Sequence, residues 1–382
     1  MKQGLTLAIL VLFLAACQKK DEPPKQPPTP VPPPKAAASS EVRSSSSQAS
    51  YADAVERVGP GVVTIRAARR GRAPRQHPFL DDPLFRDFFG GAFGGAQSPR
   101  SKVMMGLGSG VIVEPNGTIL TNHHVVDGAE EIKVELTNHR IFDAKVLGSD
   151  PPSDLAVLKI SAKDLAALTL GDSDRVRVGD IALAIGNPLG IGQTVTAGII
   201  SAKGRATGLS DGSFEDFLQT DAPINQGNSG GALINTRGEL IGINSQILST
   251  SGGNIGIGFA IPSNMARNVM DQLVKSGKVR RGQIGVTIQP MTPELAAKFG
   301  LSEVRGVVIN SVTPNGPATR AGIRPGDVIL ALNGTPVEDG NTLRNQVAST
   351  APGTEAKLTI FRDRREQEIQ VTLSEYQPRA SR

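Results

Sequence analysis

Between residues 106 and 261 the chain breaks into short runs of β-type residues, among them 110–113, 132–136, 155–160, 194–202, 240–246 and 256–260, each bounded by Gly, Asn, Asp or Pro. Short apolar runs at regular spacing with turn residues between them predict an all-β barrel or sandwich. The composition points the same way. With 43 glycines, no Trp and only two Tyr, the chain reads as turn-rich and mainly β rather than as a helical bundle.

The stretch 262–276 then changes period and predicts one amphipathic helix, with Met265, Val269, Leu273 and Val274 on its apolar face. After the basic residues 278–281 a second unit begins. Strands over 284–288, 306–312, 327–332, 357–362 and 367–373, with helical stretches at 293–299 and 341–347, predict a small α+β domain. The expected division is therefore 51–277 for a β-rich domain, 278–374 for the α+β domain and 375–382 for a tail.

The N-terminus reads differently. Lys2 precedes an apolar run over 5–14, too short to span a bilayer, and Leu14-Ala15-Ala16-Cys17 follows. Small residues before a cleavage point suit a secretory signal over 1–16, and a cysteine directly after them resembles the lipobox of bacterial lipoproteins. Cys17 is then the expected lipidation site and the link to a membrane. As the single cysteine it also excludes an intrachain disulfide. Residues 17–50 are rich in Pro, Ser, Lys and Ala and cannot build a core, so they read as a tether. At about 3 Å per residue, about 30 such residues reach roughly 90 Å. A second irregular stretch, 69–102, carries Phe79, Phe85, Phe88, Phe89 and Phe93 and is expected to dock on a partner surface. Lysines and arginines number 41 against 36 acids; a net +5 over 382 residues is too dilute to argue for nucleic acid.

Chemistry concentrates at Gly227-Asn228-Ser229-Gly230-Gly231. A serine hydroxyl is a useful nucleophile only beside a base, and the oxyanion that develops needs backbone N–H donors that a glycine turn can aim inward. The turn Gly227, Asn228, Ser229 is the expected oxyanion hole, with the amides of Gly227 and Ser229 as its donors. The same residues satisfy the nucleophile elbow of α/β-hydrolases, but that fold needs its histidine after the serine. All four histidines, His77, His123, His124 and His139, precede Ser229. The remaining order is His, Asp, Ser, as in chymotrypsin-like enzymes. Either histidine of Thr121-Asn122-His123-His124-Val125-Val126 can supply the base. A metal site there is disfavoured, because consecutive histidines rarely reach one ion and no third ligand lies nearby. Asp154 leads directly into the apolar 155–158 and is the expected orienting acid, whereas Asp127, Asp143, Asp150 and Asp180 sit in polar turns.

These motifs, with Gly186-Asn187-Pro188 and Gly256-Ile257-Gly258-Phe259-Ala260-Ile261-Pro262, resemble the HtrA/Deg family of serine endopeptidases over roughly 51–373. The resemblance implies a chymotrypsin-like double β-barrel followed by a PDZ domain, and it selects His124 over His123, with Asp154 and Ser229. It implies a shallow apolar specificity pocket formed by Ile224 and the segment holding Asn244, Gln246 and Leu248. It also implies a carboxylate-binding PDZ loop at Gln283, Ile284, Gly285 and Val286, and a regulatory role for Arg205. Tyr51 matches an aromatic residue buried at a threefold contact, so a homotrimer is implied. Gln226 departs from the basic or aromatic residue common in relatives. No cofactor and no metal is expected. The expected substrates are unfolded or damaged polypeptides of a bacterial envelope, with C-terminal peptides at the PDZ domain. The competing expectations are a peptide-activated protease making a single regulatory cut and a non-catalytic scaffold, the latter disfavoured because every catalytic part is present.

Overall fold

A short helix, α1 (Ala52–Val58), leads into the first barrel: β1 (Val62–Arg70), β2 (Val103–Glu114), β3 (Thr118–Thr121), a one-turn helix α2 (His123–Val126), β4 (Glu131–Glu135), β5 (Ile141–Asp150) and β6 (Leu155–Ile160). The computed structural model describes residues 50–70, 103–187, 192–207, 214–225, 227–247 and 255–377. The strands close in the order β1-β2-β3-β6-β5-β4. A second closed barrel follows, β10-β11-β12-β9-β8-β7, from β7 (Ile181–Gly186), β8 (Thr194–Arg205), β9 (Phe217–Thr220), β10 (Ala232–Ile234), β11 (Leu240–Ile247) and β12 (Gly258–Pro262). The expected double barrel is what forms.

One strand far outruns its sequence signal. β2 begins at Val103 because its N-terminal half pairs residue by residue with β1, from Arg70 opposite Val103 to Val62 opposite Val111. Pairing, rather than an apolar alternation, carries that segment.

The helix α3 (Ser263–Ser276) follows β12 and packs on β5 and β6 of one barrel and β11 and β12 of the other. Its buried stripe is Ala266, Val269, Met270 and Leu273, the i, i+3, i+4, i+7 face of a helix. Val274, expected on that face, lies one position past the stripe and is 52% exposed. Gly277 ends the helix in the left-handed region at φ 71°, its N–H donating to the Leu273 carbonyl. One apolar cluster joins the barrels and α3: Val111, Leu120, Leu155 and Val157 meet Leu183, Ile185, Phe217, Ile243, Val269 and Leu273.

The C-terminal unit has a sheet ordered β14-β15-β16-β18-β19, from β14 (Val286–Pro290), β15 (Val307–Val312), β16 (Val328–Leu332), β18 (Glu355–Arg362) and β19 (Arg365–Thr372), with β17 (Thr335–Pro336) beside β16. A small ladder pairs β13 (Gly282–Gln283) with β20 (Ser374–Glu375). Helices α4 (Pro293–Phe299), α5 (Pro317–Arg320) and α6 (Gly340–Ser349) complete it. Its apolar cluster, with Ile284, Ile309, Leu343, Leu358 and Val371, is its own and shares no residue with the barrels.

Among the described residues, an ion pair, a pair of rings and two amide side chains join it to the barrels. The buried Arg281 guanidinium, immediately before β13, makes a two-pronged ion pair with the buried Asp150 carboxylate at the end of β5, one arm at 2.8 Å. The same guanidinium lies 4.5 Å above the Phe214 ring, which meets Tyr376 edge-on. Asn341 and Asn345 of α6 donate to the Glu215 carbonyl at 2.8 and 2.6 Å.

Candidate active site

β3 delivers its chain to the mouth between the barrels, where Asn122 is extended and the single turn of α2 begins. So short a helix cannot satisfy its own terminal carbonyls. Arg69 does so from β1, donating to the carbonyls of His124 at 2.9 Å and Asp127 at 2.7 Å. Burial pulls the Arg69 pKa down, and the neighbouring Asp127 works against that.

Asp154 sits after the one-turn helix Pro151–Ser153, itself capped by the Asp150 carboxylate, which accepts from the Ser153 N–H at 3.1 Å. It adopts φ 54°, ψ 38°, a left-handed conformation that aspartate tolerates better than most side chains. That bend turns both halves of the residue toward α2. The Asp154 carbonyl accepts from the His123 N–H and from the Asn122 side chain, each at 3.0 Å. The carboxylate accepts from the His124 N–H at 3.0 Å, lies 2.8 Å from His124 Nδ1, and accepts from the Ser245 hydroxyl at 2.9 Å. Burial alone would push the Asp154 carboxyl up. The charge of His124 and the hydrogen bonds from His124 and Ser245 outweigh it, holding the group below the usual carboxylate range. An ionised carboxylate only accepts, so Nδ1 of His124 carries the proton shared with Asp154. His123 points elsewhere, its Nε2 3.7 Å from an Asp127 oxygen. It is the His124 side chain, not that of His123, that meets the Asp154 carboxylate.

Ser229 comes from the other barrel, in the turn before β10. Its hydroxyl donates to the Ser245 carbonyl at 2.9 Å, so Ser245 of β11 touches the acid through its side chain and the serine through its backbone. Asn228 donates its N–H to the Asn225 carbonyl at 2.9 Å, and Gly231 donates to the Asn228 carbonyl at 2.9 Å. The turn needs glycine at Gly230: φ is 80°, and a Cβ there would lie 2.1 Å from the Ser109 carbonyl oxygen.

Residues 108–243 match the trypsin-like peptidase domain family and residues 282–373 the PDZ domain family. The chain is 44% identical over 335 residues to a probable periplasmic serine protease of Haemophilus influenzae, covering 86% of this chain and 72% of that protein. It is also 44% identical over 350 residues to the periplasmic serine endoprotease DegP of Escherichia coli, covering 87% and 74%. The chain belongs to the HtrA/DegP family of serine endopeptidases. Among solved structures, the HtrA-type protease AlgW with a decapeptide is 48% identical, with a TM-score of 0.66 over 86% of this chain and 99% of that one. AlgW with a tripeptide is 43% identical, with a TM-score of 0.69 over 86% and 98%.

Around this HtrA-type centre the other sequence candidates divide. Ile224 is buried in the second barrel and touches the edge of β12, where a Cβ on Gly258 would lie 2.9 Å from its Cδ1. Asn244 turns inward, donating to the Ala232 carbonyl at 3.0 Å, and so braces β11 against β10. Gln246 is half-buried and lies 3.5 Å from the Thr207 hydroxyl. In the PDZ domain Gly285 has φ 80° between Ile284 and Val286. The Ile284 and Gly285 carbonyls accept from Ala318 and Thr313, which turns this loop toward α5, and Gln283 pairs with Ser374 in the β13–β20 ladder. Arg205 is exposed at the end of β8, opposite Phe217. Cys17, Gln226, Leu248 and the phenylalanines 79–93 lie outside the described residues. Among the described residues no cluster of His, Cys, Asp or Glu is placed to hold a metal, and no helix is long and apolar enough to cross a membrane.

Sequence reasoning missed Ser245, Arg69 and Ser109. Ser245 had a signal: β11 is buried along most of its length, and a serine among Leu240, Ile241 and Ile243 demands a hydrogen-bond partner.

Proposed function

We propose that this serine endopeptidase degrades misfolded or damaged polypeptides on the periplasmic side of a bacterial envelope, without a cofactor and with Ser229 as nucleophile. His124 Nε2 takes the Ser229 proton as Oγ attacks the scissile carbonyl carbon, and then gives it to the leaving amine. Asp154 holds the imidazole in the required tautomer and stabilises its charged form. The amides of Gly227 and Ser229 stabilise the oxyanion; Asn228, its N–H engaged with Asn225, shapes the turn between them. Water then clears the acyl-enzyme. The observation that carries this reading is the linkage of His124, Asp154, Ser245 and Ser229 through hydrogen bonds of 2.8 to 2.9 Å.

Ile224 and the segment holding Asn244, Gln246 and Leu248 form the apolar specificity pocket, so cleavage follows small aliphatic residues. The loop at Gln283, Ile284, Gly285 and Val286 takes C-terminal carboxylates while the peptide adds as a strand to β14, and Arg205 passes that contact to the oxyanion turn. Residues 51–277 constitute the protease domain and 278–374 the PDZ domain, three copies assembling through the region of Tyr51. Cys17 carries the lipid that holds the assembly to a membrane. Unfolded chains held without cleavage, a chaperone activity, use the same surfaces.

A second reading, a protease that makes one regulatory cut after a peptide engages the PDZ domain, is favoured by the AlgW structures, which hold a decapeptide and a tripeptide. Cleavage of casein by the full-length protein, beside Ser229→Ala and with or without a peptide ending in a hydrophobic carboxylate, separates the readings. Broad degradation without peptide supports quality control, and silence until peptide is added supports the regulatory reading. Equal activity in Ser229→Ala overturns the mechanism.

A further inference from the structure

Ser109 lies on β2 of the first barrel, fully buried, and each of its three polar groups is engaged. Its N–H donates to the Ser229 carbonyl at 2.8 Å, and its carbonyl accepts from the Thr121 hydroxyl at 2.7 Å. Its hydroxyl accepts from the Asn187 N–H at 2.9 Å and donates to the Gly227 carbonyl at 2.6 Å. The direction of this last bond is forced. A hydroxyl has one proton, the Asn187 N–H can only donate, and the Gly227 carbonyl can only accept.

The peptide unit joining Gly227 to Asn228 is thereby held at both ends. Ser109 holds its carbonyl, and the Asn225 carbonyl holds its N–H at 2.9 Å. Gly227, at φ 93°, supplies one of the two proposed oxyanion donors through the N–H of the preceding peptide unit, which pivots at the Gly227 Cα against the unit that Ser109 holds. Donors for a developing charge act by being aimed before the charge appears, so whatever fixes Gly227 fixes the catalytic electrostatics. The hold is itself anchored to the first barrel: the Asn187 side chain donates to the Thr64 hydroxyl at 2.6 Å, and a Cβ on Gly186 would lie 3.0 Å from the Ser109 oxygen.

We propose that the Ser109 hydroxyl is a positioning group for the oxyanion hole, fixing from the opposite barrel the Gly227–Asn228 peptide against which the Gly227 N–H pivots. The assignment rests on Ser229 as nucleophile. Ser109 touches no substrate. Its removal leaves the Gly227 carbonyl and the Asn187 N–H without their partner and returns to Gly227 the freedom that the hole cannot tolerate.

The test is Ser109→Ala in the full-length protein, assayed on a short chromogenic peptide with a PDZ-binding peptide present. Active sites are counted by a fluorophosphonate that bonds to Ser229 Oγ with loss of fluoride. The expected result is a fall in kcat per labelled site of tenfold or more, which is about 1.4 kcal/mol of transition-state stabilisation or above, with KM within threefold of the parent. A kcat per site within twofold of the parent overturns the assignment, as does a loss confined to KM or to the number of sites labelled. Ser109→Cys keeps the volume and weakens the donor, so it covers the case in which the alanine variant does not fold. It is expected to show an intermediate loss of kcat, and full activity in it overturns the assignment equally. Labelling that fails in the parent protein, or that persists in Ser229→Ala, removes Ser229 as nucleophile and the Ser109 role with it. Labelling with an unchanged kcat removes only the latter.

Discussion

The seam between the two barrels and the seam between the barrels and the PDZ domain are built from opposite materials. The first is apolar and close-packed, one cluster running through both barrels and α3, with Gly230 pressed against the Ser109 carbonyl. The second is held by the Arg281–Asp150 pair, the Phe214 and Tyr376 rings and the amides of Asn341 and Asn345, while the PDZ core is separate. Dense apolar seams admit few alternative arrangements, whereas hydrogen bonds and charges can exchange one polar partner for another. His124 and Ser229, which come from different barrels, therefore stand on the rigid seam. The domain assigned to peptide sensing stands on the adjustable one.

The largest test of this contrast is Gly230→Ala. A Cβ 2.1 Å from a backbone oxygen, on a residue at φ 80°, has nowhere to move. Overpacking and backbone strain together cost about 4 kcal/mol. Urea denaturation should register that loss, and casein cleavage should disappear with it; a variant of parental stability would show that the seam yields. Next comes Arg281→Ala, which strands the buried Asp150 charge. A loss of about 3 kcal/mol is expected, and Arg281→Ala with Asp150→Asn should recover part of it, because the amide oxygen still caps Ser153 without a stranded buried charge. No recovery in the double variant would mean that the stranded charge is not the cause of the loss.

The smallest effect concerns pH. Burial pushes the Asp216 carboxyl up, Asp174 and the PDZ-borne Asp339 add to the rise, and Lys203 opposes it. A raised folded-state pKa means that ionising Asp216 costs stability as pH rises from the ordinary carboxylate value through the folded one. Asp216→Asn should therefore raise Tm at pH 7, by the equivalent of about 1 kcal/mol or less, and the gain should vanish below about pH 4. Asp154 at the inner seam behaves oppositely. Its pKa is lowered, so its contribution holds down to the carboxylate range and is lost only as pH falls through the lowered value. A Tm gain in Asp216→Asn that is independent of pH would remove the electrostatic explanation.

Much of the fold was legible in the residues, because turn glycines and asparagines bound nearly every strand and the order of His, Asp and Ser excludes one of two rival folds. The parts that were not legible share a cause. Ser245 and Ser109 each join a hydroxyl to a backbone carbonyl in the site, every residue has such a carbonyl, and only the register of β2 and β11 shows which carbonyl meets which hydroxyl. Asn244 read as pocket wall because position in sequence does not say which way a strand residue faces; here it braces the strand from within. Val274 missed its expected face by one residue of helical phase.

The Asp150 carboxylate caps the turn that precedes Asp154 and also receives Arg281, 131 positions further along the chain. A polypeptide emerging from its N-terminal end completes the barrels before that arginine has been made. The support beneath the proposed catalytic acid is thus the last part of the protease to arrive, supplied by the first residues of the domain that follows. A truncated product of interrupted synthesis that stops short of residue 281 lacks this ion pair, so the turn before Asp154 keeps its cap but not the cation that neutralises it.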